Sequence, residues 1–335
     1  MAKKITPASN QNLQPFMFSM DSASLDFGGG AGVFDLNLSL PHGAILGMIG
    51  PSGCGKTTTI RLLNGIYGPT SGEVRVFDKS PAQFLDVDKA RIGYIPQHFI
   101  LYPTLTAEEN LHFMGGIYGM PSRERKEKIG PLLEFVDMLD ARKRLASKLS
   151  GGMQRRLMLA SALLHDPDFI IADEPTAGID PILRARIWEN FRALRDQGKT
   201  LLVTTQYVGE AAYCDQVAVM RRGRLVTVDT PTGLRRQAMG GEVIHLQVEK
   251  RQLTKCQKLL EKLKQVSKVE RIPDEADGLF VYVENAGKGL PKLLASLREQ
   301  GNITPRNAEP YLPAFDEVFV RLIHKSEEGS LEAAL

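Results

Sequence analysis

The chain has 335 residues, of which 43% are hydrophobic and 24% charged, and its formal net charge is +3. The length is sufficient for one large domain with a smaller one, or for two domains of medium size, and the globular composition disfavours wholesale disorder. The near balance of 42 basic and 39 acidic residues disfavours a dedicated nucleic-acid-binding protein, which concentrates basic charge on one face.

The cysteines and the apolar segments indicate the cellular compartment of the chain. Cys54, Cys214 and Cys256 are far apart and form neither a CxxC nor a metal-type spacing, so we expect reduced thiols. Residues 1–14 are polar and lack the apolar core of a signal peptide, and no apolar stretch approaches the ~20 residues that span a bilayer. We therefore expect a soluble, cytoplasmic chain that reaches a membrane only through a partner.

Residues 1–15 are predicted to be flexible, and residues 16–240 to form an α/β domain. In this domain, which we place at 16–240, short apolar runs alternate with helical patterns. A helix is predicted at 58–64, and the predicted strands lie at 44–49, 73–77, 92–95, 169–172, 201–204, 217–220 and 225–228.

A helical insert is predicted within this domain, at about 98–165. The segment from Thr106 to Glu109 has the pattern of a capping box, which predicts that a helix begins there. A later helix is predicted to carry four apolar side chains on one face: Leu132, Phe135, Val136 and Leu139.

A second domain is predicted at 241–325, where the rhythm of the sequence changes. The pattern predicts strands at 244–248, 269–272, 279–283 and 302–307, and helices at 253–266 and 290–298. This βαββαβ order is typical of a ferredoxin-like α+β module. A closing helix is predicted at 313–324, and a flexible tail at 326–335.

A glycine-rich loop directly follows the predicted strand at 44–49. It fits the pattern G-x-x-x-x-G-K-[ST] with Gly50, Pro51, Ser52, Gly53, Cys54, Gly55, Lys56 and Thr57. Glycines let backbone N–H groups wrap a β-phosphate, and the following helix N-terminus adds partial positive charge. The pattern predicts that Lys56 reaches the β- and γ-phosphates and that the Thr57 hydroxyl binds Mg²⁺. No guanine-reading N-K-x-D motif occurs, which favours ATP over GTP.

Two further segments have the composition of a nucleotide site. The apolar strand at 169–172 ends in Asp173 and Glu174, which are suited to hold Mg²⁺ and to face an attacking water. Ser150-Gly151-Gly152 opens a helical run 24 residues before Glu174 and forms a second potential anion cradle. A nucleotide shared between two copies of the chain explains why one sequence carries two cradles. Taken alone, either segment is also compatible with a solvated strand end or a simple helix cap.

The motifs together resemble the ATP-binding subunit of an ABC transporter. The resemblance covers about 16–232 and is carried by five motifs in the family's order: the phosphate loop, Gln97 in Tyr-Ile-Pro-Gln, Leu149-Ser-Gly-Gly-Met153, Asp173-Glu174 and Ala177-Gly-Ile-Asp180. It implies a P-loop NTPase fold of ABC type, with a RecA-like core, an antiparallel β subdomain and a helical subdomain.

The resemblance also implies roles for individual residues. ATP and Mg²⁺ are the expected cofactors, and Thr57, Gln97 and Asp173 are the expected metal ligands. Glu174, Gln206 and Lys56 are the expected catalytic residues, and Asp180 is expected to cross to the other subunit. Phe27, which lies 29 residues before Lys56, occupies the family's position for an adenine-stacking aromatic, although a place in the core is the commoner role of a Phe. The expected nucleotide contacts also include the phosphate loop with Thr58, Gln97, Ser150, Gly151, Gly152, Asp173 and Asp180.

One position departs from the family's pattern. Where the family usually has a histidine that contacts the γ-phosphate, this chain has Gln206, which can donate a hydrogen bond but cannot carry positive charge or shuttle protons. We expect hydrolysis to survive, because Glu174 is present as a base. A nucleotide-binding regulator that hydrolyses ATP poorly is the alternative that Gln206 leaves open.

The residues that make up several of these motifs indicate a branch of the family. LSGGMQRRL, Ala-Gly-Ile-Asp, Gln206 and the segment Pro313–Phe319 resemble exporter ATPases typified by the daunorubicin-resistance proteins. The resemblance implies permease subunits in the membrane, a dimer of this chain around two MgATP, a peripheral position at the cytoplasmic face of the cell membrane and no nucleic-acid partner. An importer subunit and a soluble ABC ATPase remain alternatives.

The cysteine of the phosphate loop permits one chemical expectation. A thiol reagent is expected to modify Cys54 and block ATP binding, and bound MgATP is expected to protect the thiol. The alternative is a buried and inert side chain.

Overall fold

A computed structural model describes residues 16–273 and 275–332, and the side chains up to residue 326. The predicted flexible segment at 1–15 lies outside the described residues. The chain divides into two compact units between Val228 and Asp229, earlier than the boundary at 240/241 expected from the sequence.

The first unit is built from two sheets and the helices that cover them. Its strands are β1 (Phe16–Gly28), β2 (Ala31–Pro41), β3 (Ile45–Ile49), β4 (Ser71–Val76), β5 (Ile92–Ile95), β6 (Phe169–Asp173), β7 (Thr200–Thr205), β8 (Gln216–Arg221) and β9 (Arg224–Asp229). Its α-helices are α1 (Lys56–Leu63), α2 (Asp86–Lys89), α3 (Ala107–Ile117), α4 (Ser122–Phe135), α5 (Gly151–Leu163) and α6 (Pro181–Asp196).

The larger sheet has the strand order β5-β6-β7-β3-β8-β9. Its neighbours from β5 to β8 are parallel, and every residue of β3, β6 and β7 is buried. Continuous apolar strands of this kind form the centre of a parallel sheet that is covered on both faces. Because β3, β6 and β7 are adjacent and parallel, the loops that follow them meet at one edge of the sheet.

The smaller sheet is antiparallel, with the order β2-β1-β4, and it supplies the antiparallel β subdomain that was predicted. Inward residues of β1 such as Phe18 and Met20 are almost fully buried and join the same core as the larger sheet. The glycine-rich turn after Phe27 connects β1 to β2.

The helical insert contains α3, α4 and α5, as predicted. Thr106 begins α3 through a capping box, because its hydroxyl accepts from the Glu109 backbone N–H and the Glu109 carboxylate accepts from the Thr106 N–H. The prediction that Leu139 shares the face of α4 is wrong, since α4 ends at Phe135. Asp137 then adopts a φ of +54°, which is incompatible with a continuing helix.

The second unit is an α+β arrangement whose sheet has the order β11-β12-β10-β13 and is entirely antiparallel. The elements in the βαββαβ run follow the predicted order, and the ferredoxin-like assignment stays a prediction. The elements are α7 (Pro231–Met239), β10 (Glu242–Gln247), α8 (Leu253–Leu260), β11 (Val266–Arg271), β12 (Gly278–Val283), α9 (Ala286–Gly301), β13 (Asn307–Tyr311) and α10 (Phe315–Glu332).

Three predicted boundaries in this unit are wrong. Helix α8 ends at Leu260 rather than at 266, because residues from Val266 onward pair with β12. Strand β13 begins at Asn307, since Asn302 caps α9 with a φ of +51° and Ile303 is buried in the core. Helix α10 continues to Glu332, through most of the segment predicted as a tail.

The position of α7 explains the division between the units. Helix α7 packs against α10, where the Arg235 guanidinium lies 4.0 Å from the centre of the Phe315 ring. The Lys325 ammonium also donates to the Gln237 carbonyl at 2.7 Å. Helix α7 therefore belongs with the C-terminal helix rather than with the strands that precede it.

Candidate functional site

The phosphate loop lies between β3 and α1, as predicted. Gly55 precedes α1 with a φ of +111°, a conformation that only glycine adopts without strain. Gly50 has no room for a side chain, because a Cβ there would lie 2.3 Å from the Met220 carbonyl oxygen. Lys56 is 4% exposed, and its ammonium donates to the carbonyl oxygens of Gly50 at 2.8 Å and Pro51 at 3.2 Å. These bonds hold the Lys56 side chain against the backbone of the phosphate loop.

Asp173 joins this loop to the adjacent strands. The Thr57 hydroxyl donates to one oxygen of the Asp173 carboxylate at 2.9 Å, and the Thr204 hydroxyl donates to the other at 2.6 Å. Asp173 is 1% exposed, so these bonds replace the water that a carboxylate otherwise requires. Thr204 is not predicted as a site residue, because its sequence shows only that it lies near the end of a strand. In the folded sheet it pairs with Asp173.

Glu174 is the point at which the predicted side chains meet. One carboxylate oxygen lies 3.2 Å from the Lys56 ammonium, and the other accepts from the Gln97 amide at 3.1 Å and from the Gln206 amide at 2.8 Å. The backbone N–H of Glu174 donates to the Thr204 hydroxyl at 3.0 Å. Glu174 adopts a φ of +49°, an uncommon conformation that is often found at functional sites.

A cavity of about 720 Å³ opens above these groups. Phe27 is among its lining residues; it is 54% exposed and contacts Tyr67 edge to face at 5.5 Å, so it is not a core residue. The lining includes six predicted loop residues together with Gln97 and Glu174. The complete lining is Phe27, Gly30, Ala31, Gly32, Ser52, Gly53, Gly55, Lys56, Thr57, Thr58, Gln97, Glu174, Arg222 and Gly223.

The second predicted cradle does not line this cavity. The Ser150 hydroxyl accepts from the Met153 N–H at 3.3 Å and caps α5, and one Asp180 oxygen accepts from two backbone N–H groups and caps α6. These two helix starts are neighbours, because a Cβ on Gly152 would lie 2.4 Å from the Leu183 side chain. Within one chain, the structure therefore separates Ser150, Gly151, Gly152 and Asp180 from the phosphate loop's cavity.

Arg155 is another residue near the site, and its role is not predicted by the sequence. Its guanidinium donates to the Pro96 carbonyl at 3.3 Å, directly before Gln97. Burial lowers the pKa of Arg155, and the nearby charge of Glu174 opposes this shift. The side chain thus connects helix α5 to the segment that carries Gln97. Its sequence signal is its place in the segment LSGGMQRRL, three residues after the Ser-Gly-Gly turn.

Cys54 lies on the inner side of the phosphate loop. It is 3% exposed, and burial raises the pKa of its thiol although Lys56 opposes the shift. Its sulfur would lie 2.7 Å from a Cβ on Gly50, so the thiol faces the loop's own backbone. This environment supports the inert alternative rather than a reactive thiol.

Part of the first unit matches the model of a known protein family. The family model described as "ABC transporter" matches residues 33–177. The chain is 34% identical over 311 residues to the daunorubicin/doxorubicin resistance ATP-binding protein of Streptomyces peucetius, covering 92% of this chain and 93% of that protein. The chain belongs to the ABC transporter family.

Other relatives of this chain are named for export or for multidrug transport. It is 34% identical to a Nod factor export ATP-binding protein of Ralstonia nicotianae over 86% of this chain and 87% of that protein. It is 36% identical to a probable multidrug ABC transporter ATP-binding protein of Escherichia coli over 64% of this chain. The chain spans only 37% of the length of that Escherichia coli relative.

Solved structures confirm the predicted fold of an ATP-binding cassette. One ATP-binding subunit of an ABC transporter matches with a TM-score of 0.60 and 26% identity, over 66% of this chain and 92% of that one. A cassette solved as a dimer in a post-hydrolysis state with ADP and Pi matches with a TM-score of 0.58 and 25% identity, over 64% of this chain and 98% of that one. None of the helices in the described part of the chain combines the length and the apolar character of a membrane-spanning segment.

Proposed function

We propose that the chain hydrolyses ATP at the cavity above Lys56, as the motor subunit of a transporter. The backbone of the phosphate loop offers N–H groups, and Lys56 supplies a buried positive charge. The lysine is presently 3.2 Å from Glu174, so phosphate oxygens would compete with that carboxylate for its ammonium. Phe27 stands exposed at the cavity wall, where a purine ring can stack on it.

The residues of this site fit a Mg²⁺ ion. Thr57 and Asp173 present oxygen atoms 2.9 Å apart, and Gln97 lies in the same cavity wall with an amide oxygen available. Oxygen ligands that leave several positions for water and phosphate are what Mg²⁺ requires. When bound, Mg²⁺ neutralises the charge that develops on the β- and γ-phosphates during transfer.

The observation that carries the proposal is the set of bonds around the Glu174 carboxylate. We assign Glu174 as the base that accepts the proton of the attacking water, because its carboxylate lies at the cavity next to Lys56. Gln97 and Gln206 donate to the same oxygen and fix its direction. Gln206 acts here as a hydrogen-bond donor, a role that does not require the histidine found at this position in the family.

Two copies of the chain complete the proposed motor. Ser150, Gly151, Gly152 and Asp180 lie at helix starts away from the cavity, where the N–H groups of one copy can cover the nucleotide of another. The dimeric cassette that resembles this chain supports the arrangement. In this proposal two MgATP close the dimer, and hydrolysis reopens it.

We further propose that this dimer drives separate permease subunits from the cytoplasmic face of the membrane. The export and resistance names of the relatives favour export over import. An importer subunit and a soluble ATPase are the competing functions, and neither is favoured by a feature of the described chain. A poorly hydrolysing regulator is motivated by Gln206 alone.

Turnover of MgATP by the purified chain and by Glu174→Gln tests the proposed chemistry. We expect the substitution to lower kcat by at least about a hundredfold while ATP still binds. Gln206→His is the companion variant: a large rise from near-zero turnover would support the regulator, whereas brisk turnover by the parent excludes it. Equal rates for the parent and Glu174→Gln would contradict the assigned base.

A second experiment tests the membrane partner. The chain is captured from detergent-solubilised membranes, and the bound proteins are identified by mass spectrometry. Recovery of a polytopic membrane protein in near-equal amount would support the transporter. Recovery from the soluble fraction, alone or with ribosomes, would favour the soluble ATPase.

A further inference from the structure

The turn between β8 and β9 is built into the wall of the nucleotide cavity. The Gly223 N–H donates to the Cys54 carbonyl at 3.0 Å, and the Gly223 carbonyl accepts from the Phe34 N–H at 2.8 Å. A Cβ on Gly223 would lie 2.4 Å from the Gly32 carbonyl oxygen. The turn is therefore fixed between the phosphate loop on one side and the β1–β2 hairpin on the other.

This fixed turn presents Arg222 to the cavity. Arg222 adopts a φ of +47°, a conformation that a non-glycine residue holds only when its surroundings impose it. The residue is exposed, and its side chain makes no hydrogen bond or ion pair with any residue at 16–273 or 275–332. The guanidinium is thus available to a ligand.

Arg222 and Lys56 are the two basic residues in the lining of the cavity. The two residues differ in their bonds within the protein. Lys56 is buried and already bonded to Glu174 and to two carbonyl oxygens, whereas Arg222 is exposed. Lys56 and Arg222 also lie at different positions along the cavity. Lys56 lies with the acids that face the γ-phosphate in the proposed site, whereas the turn of Arg222 is bonded to the middle of the phosphate loop and contacts the hairpin that carries Phe27.

We propose that Arg222 binds the α-phosphate of the nucleotide. The inference rests on the proposed function and assigns one further contact within that site. With the adenine on Phe27 and the terminal phosphates at Lys56, the anionic group between them is the α-phosphate. A guanidinium matches the geometry of phosphate oxygens and forms charge-assisted hydrogen bonds with them. Because the α-phosphate is not transferred, this contact strengthens binding without accelerating hydrolysis.

The test compares nucleotide affinity in Arg222→Ala and Arg222→Lys with the parent, by titration calorimetry with ATP and with ADP. We expect Arg222→Ala to weaken both nucleotides by about five- to tenfold, with kcat unchanged at saturating MgATP. Arg222→Lys should recover part of the loss, since it restores the charge but not the planar fork.

Arg224→Ala is the matched control, because Arg224 belongs to the same hairpin, is exposed and does not line the cavity. It should bind both nucleotides like the parent. Parental affinity of Arg222→Ala, or a loss that affects ATP but not ADP, would overturn the α-phosphate contact. If the proposed function itself were wrong, the unsubstituted parent would not hydrolyse ATP. That result is distinct from a change of affinity in the Arg222 variants.

Discussion

Thr204 holds the two adjacent acids of the site in one geometry. Its hydroxyl donates to Asp173 at 2.6 Å and accepts from the Glu174 N–H at 3.0 Å, and the residue is fully buried. Thr204→Val keeps the shape but leaves both buried groups without this partner. The Glu174 N–H keeps a bond to the Thr204 carbonyl at 3.1 Å, and Asp173 keeps the Thr57 hydroxyl, so the main loss is the bond to the second Asp173 oxygen. We expect kcat for ATP to fall about tenfold while the affinity for ADP changes little, because the two acids are then oriented less firmly and a lost bond to a buried charged group is worth about 1–3 kcal/mol.

Thr204→Ser is the control for this prediction, since it restores the hydroxyl and removes only a methyl group. Steady-state kinetics of the three proteins provide the measurement. A Thr204→Val protein with the parental kcat would show that the hydroxyl has no part in holding Asp173 and Glu174.

Cys54 provides a prediction of pH dependence. The thiolate is the form that reacts with alkylating reagents, and burial raises the pKa of this thiol above its ordinary value of about 8.5. At neutral pH the thiolate fraction is therefore small, and the rate of modification should still be rising with pH beyond about 8.5, where an ordinary thiol begins to level off. Burial also raises the pKa of Cys256 to about 12, so its background reaction is weaker still.

Iodoacetamide labelling followed by peptide mass spectrometry, with and without MgATP, measures this behaviour. We expect slow labelling of Cys54 near neutral pH in both conditions, because the side chain is only 3% exposed. Cys54→Ser reports the background from the other thiols. Rapid labelling at neutral pH that MgATP suppresses would instead restore the sequence-based expectation of a reactive thiol.

At the scale of elements, a buried ion pair joins α6 to the loop after β7. Glu210 is 2% exposed, and its carboxylate has no hydrogen-bond partner among the described residues. The Arg184 guanidinium lies 3.5 Å from it and also 3.9 Å from the centre of the Tyr207 ring. The pair thus connects the start of α6, capped by Asp180, to the segment directly after Gln206.

Removing one partner of this pair should be more costly than removing both. Arg184→Ala leaves a buried carboxylate unpaired, and we expect it to lower the free energy of unfolding by about 3 kcal/mol. The double variant Arg184→Met with Glu210→Leu replaces the charges by apolar groups of similar volume and should recover most of that loss. Urea unfolding of both variants measures the difference, and equal losses in both would contradict a buried unpaired charge as the cause.

The elements that sequence patterns predicted correctly are those whose signals are local. The capping box at Thr106 and the strand before Asp173 depend on neighbouring residues, and both lie where the patterns put them. The ends of α4 and α8 were misplaced because tertiary pairing and one left-handed residue decided them. The spacing of apolar residues alone predicts neither the strand pairing nor the left-handed residue.

The site shows the same limit. Lys56, Gln97 and Gln206 could be predicted as members of one site because each belongs to a short motif, and the structure brings them to Glu174. Thr204 and Arg222 carry no motif. Their place in the site depends on the register between β6 and β7 and on the packing of the β8–β9 turn, which exist only in the folded chain.

At the scale of the whole molecule, the proposed nucleotide site belongs entirely to the first unit. Every residue that lines the cavity lies between Phe27 and Gly223, before the division at Val228. The second unit has its own core, in which residues such as Leu246 and Leu293 are fully buried. Nucleotide binding should therefore depend on the first unit alone, and each unit should be able to bury its own apolar residues.

Two truncated chains test this division. A chain that ends after Thr230 retains β9 and should bind ADP with the parental affinity. A chain that ends after Gly240 retains α7 but lacks α10, which exposes Leu234, Ala238 and Met239, residues that are at most 7% exposed in the full chain. Because an exposed apolar stripe promotes association, we expect the longer fragment to aggregate more than the shorter one.

Size-exclusion chromatography and ADP titration of both fragments measure the outcome. Leu234→Glu in the longer fragment is the control, because it should restore solubility if the uncovered face of α7 causes the aggregation. A longer fragment that stays monomeric while the shorter one aggregates would place the boundary at 240/241, as the sequence pattern suggested. It would also mean that α7 stabilises the ATP-binding unit rather than the C-terminal one.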